Sequence, residues 1–165
     1  MNADGHTAPP SSSGSFVQRG GLWVLGQAGL MLAVFLLALL FHASRRQNAG
    51  MVCGVILFVL GGICGIAGAV VLRGGLTPLP KPGANTKLVR HGIYGLMRHP
   101  LYTSVILASL GWALIWQSWP ALLAALVLGL FFDAKARREE RWLREKFPEY
   151  ADYARRVRRF IPWVY

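Results

Sequence analysis

Four apolar segments alternate with polar stretches along the chain. They cover residues 22–41, 51–72, 101–116 and 120–138. The first two are each long enough for a helix that crosses a bilayer. The third would form a helix of only about 24 Å, short of the hydrocarbon core, unless part of residues 94–97 extends it. The pattern predicts an all-α integral membrane protein with about four transmembrane helices.

The last two apolar segments are predicted to form a helical hairpin. The sequence Gln117-Ser118-Trp119-Pro120 suits a tight turn, and its proline suits the first turn of the next helix. That helix meets no breaker after residue 138 and runs through charged residues toward Phe147 and Pro148. We therefore expect it to leave the membrane and to continue into cytosolic C-terminal helices within residues 139–165.

The first 21 residues differ from the rest of the chain. Residues 1–21 are small and polar, with two prolines and three consecutive serines, and cannot bury enough apolar surface to fold. We expect a disordered tail followed by one membrane domain, residues 22–165. A signal peptide is the alternative, but the apolar run after Arg19 is too long for one and lacks a clear small-residue cleavage site.

The long polar interruption covers residues 73–100. Pro78, Pro80 and Pro82 exclude a regular helix in its first half, which leaves a structured loop or a disordered linker. Apolar residues spaced through 88–97 predict a short amphipathic segment at the membrane interface. This second pattern favours an ordered loop.

Glycines recur along the second apolar segment at positions 54, 61, 65 and 68. Their spacing leaves one side of the predicted helix without side chains. Helices in lipid associate through such small residues, so close helix packing is the preferred interpretation. A groove for a cofactor is the alternative.

Composition and charge support a membrane protein. Hydrophobic residues make up 54% of the chain, too many for an ordinary soluble domain. The net charge of +11 raises a nucleic-acid partner, but the basic residues flank apolar runs and lie in no nucleic-acid-binding motif. Of the 18 Lys and Arg residues, all but Arg45 and Arg46 fall on one predicted side. Both termini are therefore expected in the cytoplasm, at a bacterial inner membrane.

The stretch from Arg98 to Tyr102 joins the polar interruption to the third apolar segment. It places a guanidinium, an imidazole and a phenol at the membrane mouth, where ionisable groups are costly and usually functional. Pro100 suits the first turn of a helix, so His99 and Tyr102 would lie about one turn apart. Alternatively, His99 is a structural residue or contacts lipid head groups, and Tyr102 belongs to an aromatic belt.

Glu139 and Glu140 follow directly from the fourth apolar segment, in a tail that is otherwise basic. Adjacent helical residues point about 100° apart, so at least one carboxylate could face the loop that carries His99. The alternative is a solvated helix stabilised by pairs of charges four residues apart. These pairs would be Lys135–Glu139, Glu140–Arg144 and Arg141–Glu145.

Three stretches together resemble the isoprenylcysteine carboxyl methyltransferase family and its bacterial relatives, with phospholipid methyltransferases as more distant kin. The first runs from Gly92 to Tyr102, GIYGLMRHPLY, and the second is the glutamate pair after an apolar hairpin. The third begins FPEYADY at Phe147. The likeness implies a membrane enzyme that transfers a methyl group from S-adenosyl-L-methionine to a lipophilic acceptor, without a metal.

The resemblance also implies roles for individual residues. The cofactor would contact Gly92, Tyr94, His99, Tyr102, Glu139 and Glu140. Glu140, Lys146 and Arg158 would take part in catalysis. The chain departs from the family at Ser104, where glycine is common, and at Ile93, where proline is common. These departures leave open whether the acceptor is a carboxylate, a thiol or a lipid head group.

Two other classes of protein compete with the methyltransferase. A reductase of the sterol-reductase type would use a nicotinamide cofactor on a similar scaffold but needs more spans. A non-catalytic membrane protein could bind anionic lipid through the arginines of its C-terminal tail.

Overall fold

The computed structural model of the chain describes residues 20–43, 48–72 and 87–165. Within these ranges it contains five α-helices and one 3-10 turn. The helices are α1 Gly21–Leu40, α2 Asn48–Leu72, α3 Pro100–Trp116, α4 Trp119–Lys146 and α5 Tyr150–Arg156, and the 3-10 turn is Gly92–Gly95. The described ranges hold no β-strand, only an isolated bridge between Met97 and Arg158. The predicted all-α fold is confirmed.

The predicted hairpin between α3 and α4 is present, and local capping explains its sharp turn. Gln117 adopts a left-handed conformation at the end of α3. The hydroxyl of Ser118 accepts a hydrogen bond from the backbone N–H of Ala121, which caps α4. The same hydroxyl donates to the carbonyl of Leu37 at the end of α1, 3.0 Å away. The turn is thereby attached to a third helix.

The expected extension of α3 through residues 94–97 is wrong. The helix begins at Pro100, and His99 before it has non-helical backbone angles. A proline disfavours the helical conformation in the residue that precedes it. The 3-10 turn from Gly92 to Gly95 is a separate element, and it is the only helical part of the predicted amphipathic segment. The proline-rich part of the interruption and the N-terminal tail, residues 1–19, lie outside the described residues.

Three helices, α1, α2 and α4, are long and apolar enough to cross a membrane. Large apolar side chains such as Leu32, Phe35, Ile56 and Ile63 are exposed on α1 and α2. Such exposure is expected of helices that face lipid. The protein is a multi-pass membrane protein. The remaining predicted span, α3, has 17 residues and a length of about 25 Å. The count of four spans therefore stays a prediction.

The glycine face of α2 packs directly on α3. A Cβ atom built at Gly54 or Gly61 would come within 2.8 Å of backbone atoms of α3, and Gly111 of α3 faces α2 in the same way. The hydroxyl of Ser104 lies against Gly65 in this interface. Close helix packing is therefore confirmed for this face, because the backbone of α3 occupies the groove. Ser104, where the chain departs from the family pattern, therefore lies in the interface between α2 and α3.

The order of the helices brings the charged residues to one end of the bundle, which we call the site end. There, Gly68 near the end of α2 meets Leu101 and Pro100 at the start of α3. The middle of α4 meets the beginning of α1, where Trp23 packs on Phe131. The start of α3 and the charged part of α4 are thus neighbours.

Candidate functional site

The site is built around His99, which immediately precedes α3 and is only 7% exposed. Its backbone carbonyl accepts a hydrogen bond from the N–H of Thr103, and its own N–H donates to the carbonyl of Arg159 at 3.1 Å. The N–H of Arg98 donates to the carbonyl of Arg158 at 2.8 Å. The segment after α5 therefore pairs with the backbone before α3 and fixes the position of the imidazole.

Both glutamates reach the imidazole, from opposite edges of the ring. Glu140 Oε1 lies 3.1 Å from His99 Nε2, and Glu139 Oε2 lies 3.9 Å from His99 Nδ1. Tyr102 stacks on His99 with 5.2 Å between ring centroids, and its hydroxyl donates to Glu139 at 2.7 Å. The structure thus brings together His99, Tyr102 and both glutamates.

Glu140 does not behave as a residue of a solvated helix. It is 2% exposed. Its ion pairs are with Arg98, His99 and Arg159, all outside α4. Glu140 therefore pairs with these three residues and not with Arg144, the partner that the sequence left open. Asp133 and Arg137 form a pair of charges four residues apart in this helix, at 2.7 Å.

Arg159 joins the segment after α5 to α4 through the carboxylates of Glu140 and Asp133. It donates two hydrogen bonds to Glu140, from Nε at 2.9 Å and from Nη2 at 3.1 Å. Its Nη1 donates to Asp133 at 2.8 Å, and Tyr165 donates to the same carboxylate. The hydrogen bonds to Glu140 raise the pKa of the Arg159 guanidinium above its ordinary value, so it carries its charge at any physiological pH.

Arg158 and Lys146, to which the family resemblance gave catalytic roles, lie outside this cluster. The side chain of Arg158 is exposed, and its backbone carbonyl is the part that supports the site. Lys146 is the last residue of α4, about 9 Å along the helix from Glu140, with its ammonium over the Phe147 ring. The proposed catalytic roles of these two residues stay predictions.

Gly92 and Tyr94 belong to the 3-10 turn at the edge of the site. Gly92 has φ +61°, and a Cβ there would lie 2.8 Å from the Val71 side chain, so both the backbone and the space require glycine. Tyr94 is buried, and its carbonyl accepts a hydrogen bond from the Tyr153 hydroxyl at 2.6 Å. Burial, and then the charge of Glu139, raise the pKa of Tyr94. Burial raises the pKa of Tyr153 to about 12.

A buried lysine adjoins the cluster on its membrane side. Lys135 is 1% exposed, and its ammonium donates to the side-chain oxygen of Gln27 in α1 at 2.6 Å. The ammonium also lies 5.1 Å from the centre of the Tyr102 ring, a cation–π contact. Sequence analysis considered Lys135 only as a partner of Glu139 and did not identify Gln27.

Sequence reasoning missed Arg159 and Asp133 as well. Arg159 has basic neighbours at positions 155, 156 and 158, and no periodicity in an irregular segment distinguishes one arginine from the next. Asp133 gave a usable signal, because it is the first charged residue of the fourth apolar helix and an acidic group at that depth needs a partner.

Comparison with known proteins shows which family the chain belongs to. Residues 49–150 match the family model for phospholipid methyltransferases. The cobalt-zinc-cadmium resistance protein CzcN of Cupriavidus metallidurans is 34% identical over 133 residues, which cover 80% of this chain and 61% of that protein. A probable protein-S-isoprenylcysteine O-methyltransferase of Oryza sativa subsp. japonica is 27% identical over 146 residues, covering 86% of this chain and 76% of the relative.

A solved structure has a similar fold. It is the eukaryotic intramembrane Ras methyltransferase ICMT, an isoprenylcysteine carboxyl methyltransferase, and it matches with a TM-score of 0.66 and 21% sequence identity. The match covers 88% of this chain and 53% of that chain. The chain thus spans about half of the solved protein and about three fifths of the Cupriavidus relative.

The chain belongs to the phospholipid methyltransferase family, whose model covers more than half of its residues. Within that class, its sequence is similar to the plant proteins named as isoprenylcysteine O-methyltransferases, and its fold is similar to that of ICMT. The family resemblance drawn from the sequence is confirmed.

Proposed function

We propose that the protein is an integral membrane methyltransferase that transfers the methyl group of S-adenosyl-L-methionine to a lipophilic acceptor. The observation that carries the proposal is the cluster of His99, Tyr102, Glu139 and Glu140 at one end of a family-typical helix bundle. The glutamates are 41 and 37 residues from the partners they contact, His99 and Tyr102, yet all four groups meet around one imidazole. Family membership supports the same reaction class.

The residues of the site fit the amino-acid part of this cofactor, which has a carboxylate and an ammonium group. Arg98 Nε and the Tyr150 hydroxyl are buried and have no hydrogen-bond partner among the described residues. Burial raises the pKa of Tyr150, so its hydroxyl stays a donor. Both donors could therefore bind a carboxylate, while Glu139 could accept a hydrogen bond from an ammonium.

The chemistry assigns distinct tasks to the chain's own residues. When bound, S-adenosyl-L-methionine supplies a methyl group on a positively charged sulfur, open to in-line displacement. Tyr102 and Tyr94 offer aromatic faces that favour a cation. The backbone pairing of residues 97–99 with 158–159 holds His99 in place.

The acceptor is proposed only as a class: a lipophilic carboxylate, thiol or lipid head group that reaches the site between the helices. Metal resistance appears in the name of the Cupriavidus relative. The described residues contain no group of three or more His, Cys, Asp or Glu side chains that could hold a metal ion. We therefore derive no metal site from that name.

Ligand binding gives the first test. In detergent, the purified protein should bind S-adenosylhomocysteine, and His99→Ala should weaken binding at least tenfold because it removes the group that both glutamates face. Isothermal titration calorimetry measures both affinities. Arg141→Ala, at an exposed position of α4, is the control and should bind like the wild type. A wild type that binds a nicotinamide dinucleotide instead would favour the reductase.

We also propose that the site end faces the cytoplasm of a bacterial inner membrane. All but two of the 18 Lys and Arg residues belong to segments on that side, and positive residues are retained in the cytoplasm. Arg45 and Arg46 lie outside the described residues. A C-terminal reporter that is fluorescent only in the cytoplasm should be active, and a C-terminal alkaline phosphatase fusion inactive. The reverse result would contradict this orientation.

A further inference from the structure

The two adjacent glutamates of the site have unequal surroundings. Each oxygen of Glu140 has two partners: His99 and Arg159 for Oε1, and Arg98 and Arg159 for Oε2, all between 2.9 and 3.2 Å. A carboxylate has about four sites at which it accepts hydrogen bonds. His99 and Arg159 take three of these sites, and the Arg98 ion pair at 3.2 Å lacks hydrogen-bond geometry. Glu140 is also 2% exposed, so a ligand has little access to the fourth site.

Glu139 retains that capacity. Its side chain is 25% exposed, and Oε2 accepts one hydrogen bond, from the Tyr102 hydroxyl at 2.7 Å. Its Oε1 takes no part in that hydrogen bond. The carboxylate is therefore oriented by one phenol and still has an oxygen available, at the edge of the cluster rather than at its centre.

Arg159 explains why Glu140 is held so firmly. The guanidinium forms a bidentate pair with Glu140, the geometry in which arginine is most specific for a carboxylate. Its third nitrogen is fixed by Asp133, and its carbonyl accepts the N–H of His99. Arg159 thus supports His99 twice: its carbonyl holds the His99 backbone, and its guanidinium holds Glu140, which contacts the imidazole.

We propose that Glu139 alone is the carboxylate that contacts the amino-acid part of the ligand, while Glu140 and Arg159 are positioning residues that act through His99. This inference deepens the proposed function and rests on it. The alternative, in which both glutamates contact ligand directly, would require Glu140 to exchange at least one of its three partners for the ligand.

Two adenosine ligands distinguish these roles. S-adenosylhomocysteine carries the amino-acid part, and 5′-methylthioadenosine lacks it. Affinities are measured on the full chain in detergent, by calorimetry or by competition against labelled S-adenosylhomocysteine. The wild type should prefer S-adenosylhomocysteine at least tenfold. Glu139→Gln should lose most of this preference, with binding of 5′-methylthioadenosine and the midpoint of thermal unfolding both unchanged.

The positioning residues should give a different pattern. Arg159→Met and Glu140→Gln should weaken both ligands by a similar factor, because a displaced imidazole affects the whole site. Arg159→Lys keeps the charge but not the bidentate pair, and should restore part of the affinity for both. Arg156→Met, which removes an exposed arginine three residues earlier, is the matched control and should change neither affinity.

The outcomes separate the two proposals. A wild type that binds neither ligand overturns the proposed function. Binding by the wild type together with a selective loss of S-adenosylhomocysteine in Arg159→Met or Glu140→Gln overturns only the present inference. An unchanged preference in Glu139→Gln overturns it as well. If Glu140→Gln does not fold, Glu139→Gln and the two Arg159 variants still decide the question.

Discussion

Replacing Gly61 by alanine should lower the midpoint of thermal unfolding by about 5 °C or more, whereas the same change at Gly62 should leave it unchanged. A Cβ atom at position 61 would lie 2.8 Å from the carbonyl oxygen of Ser104 and 2.9 Å from the backbone nitrogen of Ala108. Both neighbours are backbone atoms of α3 and cannot rotate away, so the two helices would have to separate. Overpacking of this kind costs about 1–3 kcal/mol.

The adjacent residue is the control for this experiment. A Cβ at Gly62 meets nothing within 4 Å, so Gly62→Ala makes the same chemical change on the other side of α2. Size-exclusion chromatography of heated, detergent-solubilised protein measures both midpoints. Equal midpoints for the two variants would show that the glycine face does not hold α2 against α3.

The helices could be predicted from the sequence because a bilayer imposes strong constraints on length and hydropathy. The predicted boundaries 22–41 and 101–116 differ by one residue from α1 and from the start of α3, and the second helix begins three residues earlier than predicted. The continuous helix through the charged residues of α4 was also predicted, since no proline or glycine occurs between Asp133 and Pro148.

The composition of the site was predictable where its residues are close together in sequence. His99 and Tyr102 are three residues apart at a helix start, so their stacking follows from helix geometry. The glutamates meet them because the hairpin returns α4 to the beginning of α3. Family resemblance added the expectation that these groups form one site.

The remaining contacts depend on irregular backbone and could not be predicted in the same way. The segment after α5 pairs with residues 97–99 through isolated backbone hydrogen bonds, which leave no pattern in the sequence. A shift of one residue there would have placed Arg158 rather than Arg159 beside Glu140. Gln27 is similarly inconspicuous, as one polar residue in an otherwise apolar helix.

Replacing Gln27 by leucine should destabilise the protein more than replacing Gln27 and Lys135 together. The ammonium of Lys135 is buried in the part of α4 predicted to lie in the membrane, and the amide oxygen of Gln27 is 2.6 Å from it. Removal of this acceptor takes one hydrogen bond from a charged group at low dielectric, at a cost of about 1–3 kcal/mol. The double variant Gln27→Leu/Lys135→Met removes the donor as well, so we expect it to recover most of the loss.

A double-mutant cycle on the unfolding midpoint measures this coupling directly. Gln27→Leu, Lys135→Met and the double variant are compared with Arg138→Met, which removes one positive charge from an exposed position of the same helix and should have almost no effect. If the effects of the single variants simply add, Gln27 and Lys135 do not stabilise one another. Strong coupling would instead show that α1, which lies outside the residues matched by the family model, supports the face of Tyr102 through the lysine.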